Sequence, residues 1–451
     1  MMSPKKGDRS DTSDPILSVF FHEQTSGTIG QSGADLWFQY AASVAAHADT
    51  PMGDASAISV RLPVQTAPYD HATTLVYFDN LLTETDTRDE IARAHRRDRS
   101  DVAALLGAVG AECAGAVAIW PTNADRPAPS YRALASADVE AIFDERHGER
   151  LTQRIMESQQ AMSGAQRKLV LRRDGSTWLL PIAGAPSTHL LKRSSGRYEG
   201  LVANELACLQ LFATLGLPVP DAEPMGPTAD WSNGTREPRL LVVTRFDRIP
   251  DATAPGWRDA TIAVGGLRRL HQEDLCQITG RRPAAKYQAN GGPTPRDLAD
   301  VVRRYTVAPE VDLTHALTAT IANVCLGNGD AHGKNFALLT DAAGQRRLAP
   351  FYDIVSTDVY PTLTPTFSMR FGHADRATGL AKGDIARLAK DFQVTASGVR
   401  RAMEHVTSTL DAQVTDVLHT VRQRVGVESP VLPRIEALVR SRVRQLRALL
   451  V

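Results

Sequence analysis

The chain has 451 residues, long enough for two or three packing units around their own hydrophobic cores. Lys plus Arg number 51 and Asp plus Glu number 51, which excludes the global basic bias of many dedicated nucleic-acid binders. Its cysteines, Cys113, Cys208, Cys276 and Cys325, are too few and too scattered for a disulfide framework or a Cys-rich zinc site, and they fit a reducing cytosol.

The opening stretch "MMSPKKGDRSDTSDP", residues 1–15, has no apolar core of the signal-peptide kind and reads as a disordered tail. No uninterrupted apolar run approaches membrane-spanning length, so a soluble, cytoplasmic protein is expected. Residues 16–125 mix short apolar stretches ("ILSVFF", "DLWFQY", "AISVRLP") with the charged helical segment "TDTRDEIARAHRRDRSD". They end in "GAVAIWP" and the Pro-rich connector "PTNADRPAPS", which marks a boundary. Arg93, Arg96, Arg97 and Arg99 read either as a solvated helix face or as phosphate contacts.

A second segment, 126–247, is rich in strands. "KLVLRRDGSTWLLP" predicts two short strands joined by a turn at Asp174-Gly175, and "THLLK" predicts another. A helix follows from about Glu199 to Leu215, then the strand "RLLVVTRFD". The third segment, 248–451, reads as mostly helical to its end in "IEALVRSRVRQLRALL". A strand-rich segment with one embedded helix, followed by a helical segment, is a two-lobed arrangement.

Several residues in this frame carry chemistry. In "MSGAQRKLVL" a small-residue turn before a strand lets backbone N–H groups approach phosphate oxygens, although an ordinary strand-leading turn has the same look. In the predicted helix Leu201, Glu205, Cys208 and Phe212 share one face, which places Glu205 in an apolar stripe where an unpaired carboxylate is costly. Lys192, ending the preceding strand, is the nearest well-placed cation. A strand Lys held by a helix Glu is how kinases grip ATP phosphates, and a plain surface salt bridge is the alternative.

The stretch "GNGDAHGKNF", residues 327–336, crowds Asp330, His332, Lys334 and Asn335 behind the apolar helical run "THALTATIANVCL". Phosphoryl transfer needs a base for the attacking hydroxyl and oxygen ligands for Mg²⁺. Asp330 and Asn335 have the Asp-x4-Asn spacing of protein kinases, and Asp353 in "LAPFYDIVST" supplies a second acid further on. Lys334 is placed to neutralise phosphate charge, while a lone His such as His332 is more often structural.

These stretches, with "NELACLQLFATLGLPVPDAE", "VTRFDR", "LHQEDLCQ" and "KYQANGGP" in order, resemble the HipA family of bacterial serine/threonine-kinase toxins. "VYFDNLLTETDTRDEI" and "AGAVAIWP" are similar to that family's small N-terminal subdomain. The resemblance implies a protein-kinase-like, two-lobed α/β fold with a small N-terminal subdomain and a mostly helical C-terminal lobe. It implies ATP and Mg²⁺ as cofactors, Asp330 as catalytic base, and Asn335 and Asp353 as metal ligands. Lys192 would contact the ATP phosphates, and the turn Ser163, Gly164, Ala165, Gln166, Arg167 and Lys168 would cover them. Thr244, Arg245 and Phe246 would hinge the lobes and meet adenine through backbone groups; His332 and Lys334 would lie beside the nucleotide, and Tyr352 would precede the metal ligand.

The family's partner is a small HipB-like helix-turn-helix antitoxin that binds operator DNA, and some members phosphorylate an aminoacyl-tRNA synthetase. Two departures stand out. The family's best-known autophosphorylation position is Ala161 here, which leaves Ser163 as the substitute, and Thr244 stands where a Glu is usual. Rival readings are a small-molecule kinase, a metal-dependent phosphohydrolase using Asp330, His332 and Asp353, and a non-catalytic DNA co-repressor scaffold. The face Arg440, Arg444 and Arg447 of the last helix reads either as solvated or as a DNA contact.

Overall fold

Alternation of apolar and polar residues makes the first apolar stretches into strands. Pro15–Phe21, Gln24–Ser32, Asp35–Tyr40 and Val117–Pro121 form one antiparallel sheet, in the order third, second, first, fourth. The computed structural model describes residues 15–143, 148–164, 166–194, 198–230, 236–250, 266–341 and 343–451. The expected tail, apart from Pro15, and Ala165 of the expected nucleotide turn lie outside them.

The second sheet carries the site. It orders Ala222–Asp230, Arg236–Thr244, His189–Arg193, Lys168–Asp174, Thr177–Ile182 and Ser130–Leu134, with the two strands of "KLVLRRDGSTWLLP" paired as a hairpin. Along His189–Arg193 the two-residue period sends Leu191 into the core, while Leu190 and Lys192 face a cavity. Antiparallel register sets Lys192 directly opposite Lys168.

The charged segment forms a helix only over Thr85–Ala94, so Arg96, Arg97 and Arg99 lie beyond its end. Arg99 pairs with Asp89 at 3.2 Å, and both remain substantially exposed, as a solvated face requires. Within the expected helical lobe a small three-stranded sheet also appears, His271–Asp274, Ala337–Thr340 and Arg346–Leu348. These strands are four residues or fewer, too short for a periodic signal to show in the sequence.

Most of the interior falls into two large apolar clusters. One joins the first sheet to the second through Val19, Ile29, Phe38, Leu169, Leu171, Leu191 and Val242. The other gathers the helix Leu201–Thr214 with Pro309–Leu326, Ala396–Val425 and Val431–Leu450. Leu201–Thr214 is buried along nearly its whole circumference, so its two buried polar residues, Asn204 and Glu205, need partners inside the protein. Among the described residues no helix is long and apolar enough to cross a membrane, and the cysteines are free and buried.

Candidate active site

Between the second sheet and the helices lies a cavity of about 990 Å³. The helix Pro309–Leu326 delivers the "GNGDAHGKNF" loop to its floor. Proline occupies the helix's first turn, and Gly327, at φ 62°, ends it in the left-handed conformation. A Cβ at Gly327 would come within 2.8 Å of Asp358 and 2.7 Å of Leu438, so glycine is required for space as well as for φ. The segment after Asp353 is zipped to this loop: Thr357 Oγ1 accepts the Gly329 N–H at 2.7 Å and donates to the Gly327 carbonyl at 3.0 Å.

Asp330 sits where the two lobes meet. Tyr287 donates its hydroxyl to Asp330 Oδ1 at 2.6 Å, and Asn335 donates its amide to the Asp330 carbonyl at 2.9 Å. The carboxyl is about half exposed to the cavity. It still lies deep among protein, and that desolvation pushes its pKa up to about 6; the Tyr287 hydrogen bond opposes the rise and the Asp353 charge adds to it. At neutral pH it is mainly ionised. His332 is buried, and desolvation with help from Lys286 lowers its imidazole to about 3. Neutral and edge-on to the Tyr287 ring at 5.1 Å, it is a packing partner of the Asp330–Tyr287 pair.

Lys192 is the hub of the opposite wall. Its ammonium lies 2.6 Å from Glu205 Oε1 and 2.7 Å from Asp353 Oδ1. Burial alone would lower its pKa, but Asp353 and Glu205 raise it above the ordinary lysine value, so it stays charged. Burial would likewise raise the Asp353 carboxyl, yet Lys192 and then Lys168 hold it well below the usual carboxylate range. Asp353 adopts φ 58°, a strained conformation for a residue with a Cβ. Three residues on, Asn204 donates to the Ser356 carbonyl at 2.9 Å and accepts the Ser356 N–H at 2.8 Å, which anchors the segment after Asp353 to the helix Leu201–Thr214. Asn204 was missed at the sequence level, although a polar neighbour of Glu205 in an otherwise apolar helix is the same kind of signal.

The turn before Lys168 closes the cavity from above. Gly164 has φ 108°, and a Cβ there would lie 2.6 Å from Lys168 Nζ. Lys168 donates to the Ser163 carbonyl at 2.5 Å, and Gln166 to the Arg193 carbonyl at 3.0 Å. Desolvation lowers Lys168 to about 8, with Asp353 opposing and the neighbouring Lys192 adding to the fall. Two cations side by side on adjacent strands, facing acids across a cavity, suit a polyphosphate.

One expected role, that of Lys334, meets a different geometry. Lys334 lines the cavity, but its three donors go to Asp274 Oδ2 at 2.7 Å and to the Asn80 carbonyl and side-chain oxygens at 3.0 and 2.9 Å. Its ammonium therefore ties the N-terminal part of the chain to the 327–336 loop, with all three donors engaged within the protein. Tyr352 likewise donates to the Lys334 carbonyl at 2.6 Å. Of the residues expected at the hinge, Thr244 is exposed and Phe246 lies 5.7 Å from the Tyr352 ring.

The Arg245 side chain leaves the cavity for a buried ionic cluster. It bonds Asp247 at 2.7 Å and Glu112 at 3.0 Å, and Glu112 also meets Arg248 at 3.2 Å and Arg269 at 2.8 Å. Burial would raise Glu112, but Arg248, Arg269 and Arg245 bring it below its ordinary value. This cluster was not legible in the sequence, because its members are spread from residue 112 to 269.

Asp353 and Asn335 offer hard oxygen donors on the same cavity. Among the described residues there is no cluster of three or more His, Cys, Asp and Glu able to hold a metal. Two oxygen donors that leave the other positions to phosphate and water fit Mg²⁺. The geometry does not supply the Asp330–His332–Asp353 triad that the phosphohydrolase reading requires.

The chain matches the family descriptions "HipA N-terminal domain" over residues 17–120 and "HipA-like C-terminal domain" over residues 160–414. It is 32% identical over 371 residues to Y4mE of Sinorhizobium fredii, a proposed kinase by name, covering 80% of this chain and 83% of that protein. It is 28% identical over 308 residues to the "Serine/threonine-protein kinase toxin HipA" of Shewanella oneidensis, covering 65% of each. Among solved structures it is similar to a chain of the Shewanella oneidensis HipA, HipB and operator DNA complex, at TM-score 0.73 and 19% identity over 96% of both chains. That likeness shows the fold: a mixed α/β, two-lobed, kinase-like architecture.

Proposed function

Since the chain belongs to the HipA family, we propose that it transfers the γ-phosphoryl group of ATP to a serine or threonine hydroxyl of a protein. The observation that carries this reading is the convergence on one cavity of Lys192, clasped by Glu205 and Asp353, with Asp330 held by Tyr287.

The acceptor hydroxyl approaches Asp330 Oδ2, because Oδ1 already takes the Tyr287 hydrogen bond. Asp330 receives the proton as the hydroxyl oxygen bonds to the γ-phosphorus, and the bond from that phosphorus to the β–γ bridging oxygen breaks, releasing ADP. Lys192 and Lys168 stabilise the charge on the phosphates, the larger effect expected in phosphoryl transfer. Asp353 and Asn335 would hold Mg²⁺, which when bound would supply further charge neutralisation. The amides of Thr244 and Arg245 already donate to the carbonyls of Asp221 and Thr188, at 2.8 and 2.9 Å. Backbone recognition of adenine therefore falls to their carbonyls and to Phe246.

The HipB and operator DNA of the similar complex suggest the same kinds of partner here, and growth arrest as a type II toxin follows from that association. Against the co-repressor reading stands the complete set Lys192, Asp330, Asn335 and Asp353. Arg440 and Arg447 pair with Asp411 at 3.3 and 2.8 Å, which favours a solvated, internally paired face over a DNA contact. Incubating the purified chain with γ-labelled ATP, Mg²⁺ and a cell lysate tests the proposal. A labelled protein band supports it; consumption of ATP without any protein acceptor favours a small-molecule kinase.

A further inference from the structure

The N-terminal part of the chain reaches the cavity at Ala114 and through the segment that carries Thr85 and Asp86. Thr83 pairs with Gly164 in a parallel bridge, and the Glu84 N–H donates to the Gly164 carbonyl at 3.1 Å. The Glu84 carboxylate turns the other way and meets Lys286 Nζ at 2.7 Å, with both side chains largely buried. Lys286 is bonded to the catalytic loop, since its carbonyl accepts the Gly333 N–H at 3.0 Å. The next residue is Tyr287, which holds Asp330.

We propose that Glu84 is a positioning residue for phosphoryl transfer, coupling the nucleotide loop through its backbone to the catalytic loop through Lys286. The inference rests on the kinase reading above. Glu84 touches neither acceptor nor nucleotide; it fixes the spacing of the elements that do.

Three features set this contact apart from an ordinary surface ion pair. Exposed pairs contribute little because water screens them, whereas here both partners are largely shielded. The two ends of the contact are 202 residues apart in sequence and belong to elements with different tasks. A second tie supports the same geometry, because Glu90, on the helix that Glu84 precedes, pairs with Arg167 at 2.5 Å on the far side of the nucleotide turn. Gly333 is packed too tightly to adjust, since a Cβ there would lie 2.6 Å from Pro293 and 2.8 Å from Cys276. A shift of Lys286 would therefore pass to Asp330.

Glu84→Gln in the full chain keeps the shape of the side chain and removes its charge. A displacement of about 1 Å at a reacting group costs about 10²-fold in rate, so kcat should fall by about that factor, with a smaller rise in KM for ATP; the melting midpoint should also fall, since Lys286 loses a shielded partner, with the chain still folded at the assay temperature. Lys286→Gln should reproduce the loss, and combining the two should cost little more than either alone. Normal kcat in both single variants, or strictly additive losses, would overturn the proposal. If Glu84→Gln melts below the assay temperature, Lys286→Gln carries the test from the other end of the bridge. If the wild-type chain transfers no phosphoryl group, the kinase reading fails instead. Calorimetric titration with ATP alone then decides the loop half: weaker binding by Glu84→Gln supports the coupling, and equal binding refutes it.

Discussion

Glu205→Gln is the most informative perturbation of the Lys192 hub. The substitution keeps the volume of a side chain that is 3% exposed and removes only its charge. Lys192 then keeps Asp353 at 2.7 Å but exchanges a charge-paired hydrogen bond for a charge–dipole one. A bond between two ions is worth more than a bond to a neutral partner by about 1–2 kcal/mol, and that difference is about 5- to 30-fold in kcat/KM. Lys192→Met should lose more, about 10²- to 10³-fold, because a donor to the transferring group disappears. In the Lys192→Met background Glu205 has no cation to orient, so adding Glu205→Gln should leave kcat/KM almost unchanged. The coupling energy is then about 1–2 kcal/mol in a double-mutant cycle on ATP turnover. Stability should move the opposite way in that background, since neutralising an unpaired buried carboxylate raises the melting midpoint. Additive losses in turnover would mean that Glu205 acts without Lys192 and would refute the reasoning.

Other expectations follow from the same geometry. Glu112→Gln removes the charge shared by Arg245, Arg248 and Arg269; breaking such a buried set costs about 3–5 kcal/mol, so the thermal midpoint should drop clearly, and an unchanged melt would contradict the cluster's role. Asp353→Ala should weaken Mg²⁺-dependent ATP binding in calorimetry far more than Cys325→Ala, because Mg²⁺ takes hard oxygen ligands and not a thiol; equal effects would reject the metal assignment. Ser163 lines the cavity beside Gly164, and phosphorylation there would add about −1.5 to −2 charges beside the proposed position of the ATP phosphates. Ser163→Asp should therefore depress ATP binding, mass spectrometry after incubation with Mg·ATP should find the modified residue, and normal binding by the variant would rule this control out.

How far the site could be read from the sequence depended on how local its cause was. The Lys192–Glu205 contact was legible because helical spacing put an acid into an apolar stripe, and burial then demanded a cation. The nearness of Asp330 and Asn335 was legible because one short loop holds both. The partners of Lys334 were not legible for the opposite reason: Asn80 is 254 residues away, and nothing local marks it. Tyr287, Glu84 and the Glu112 cluster were invisible for the same cause, since each is defined by a contact between distant segments. The strained φ of Asp353 also had no local sign, since an aspartate carries none of the backbone freedom that a glycine would have marked. At the level of fold, the hairpin and the long helices followed from periodicity. The way the first and second sheets share one core did not, because chain order says nothing about which apolar faces meet.

The central claim is that Asp330 accepts a proton from a protein hydroxyl while ATP is bound in the same cavity. The direct measurement compares wild-type chain and Asp330→Asn for labelling of a protein acceptor by γ-labelled ATP, with ATP affinity determined in parallel. General bases contribute about 10²- to 10⁴-fold, so Asp330→Asn should bind ATP with near-normal affinity and lose labelling by at least that lower factor. Near-normal labelling by Asp330→Asn would contradict the account.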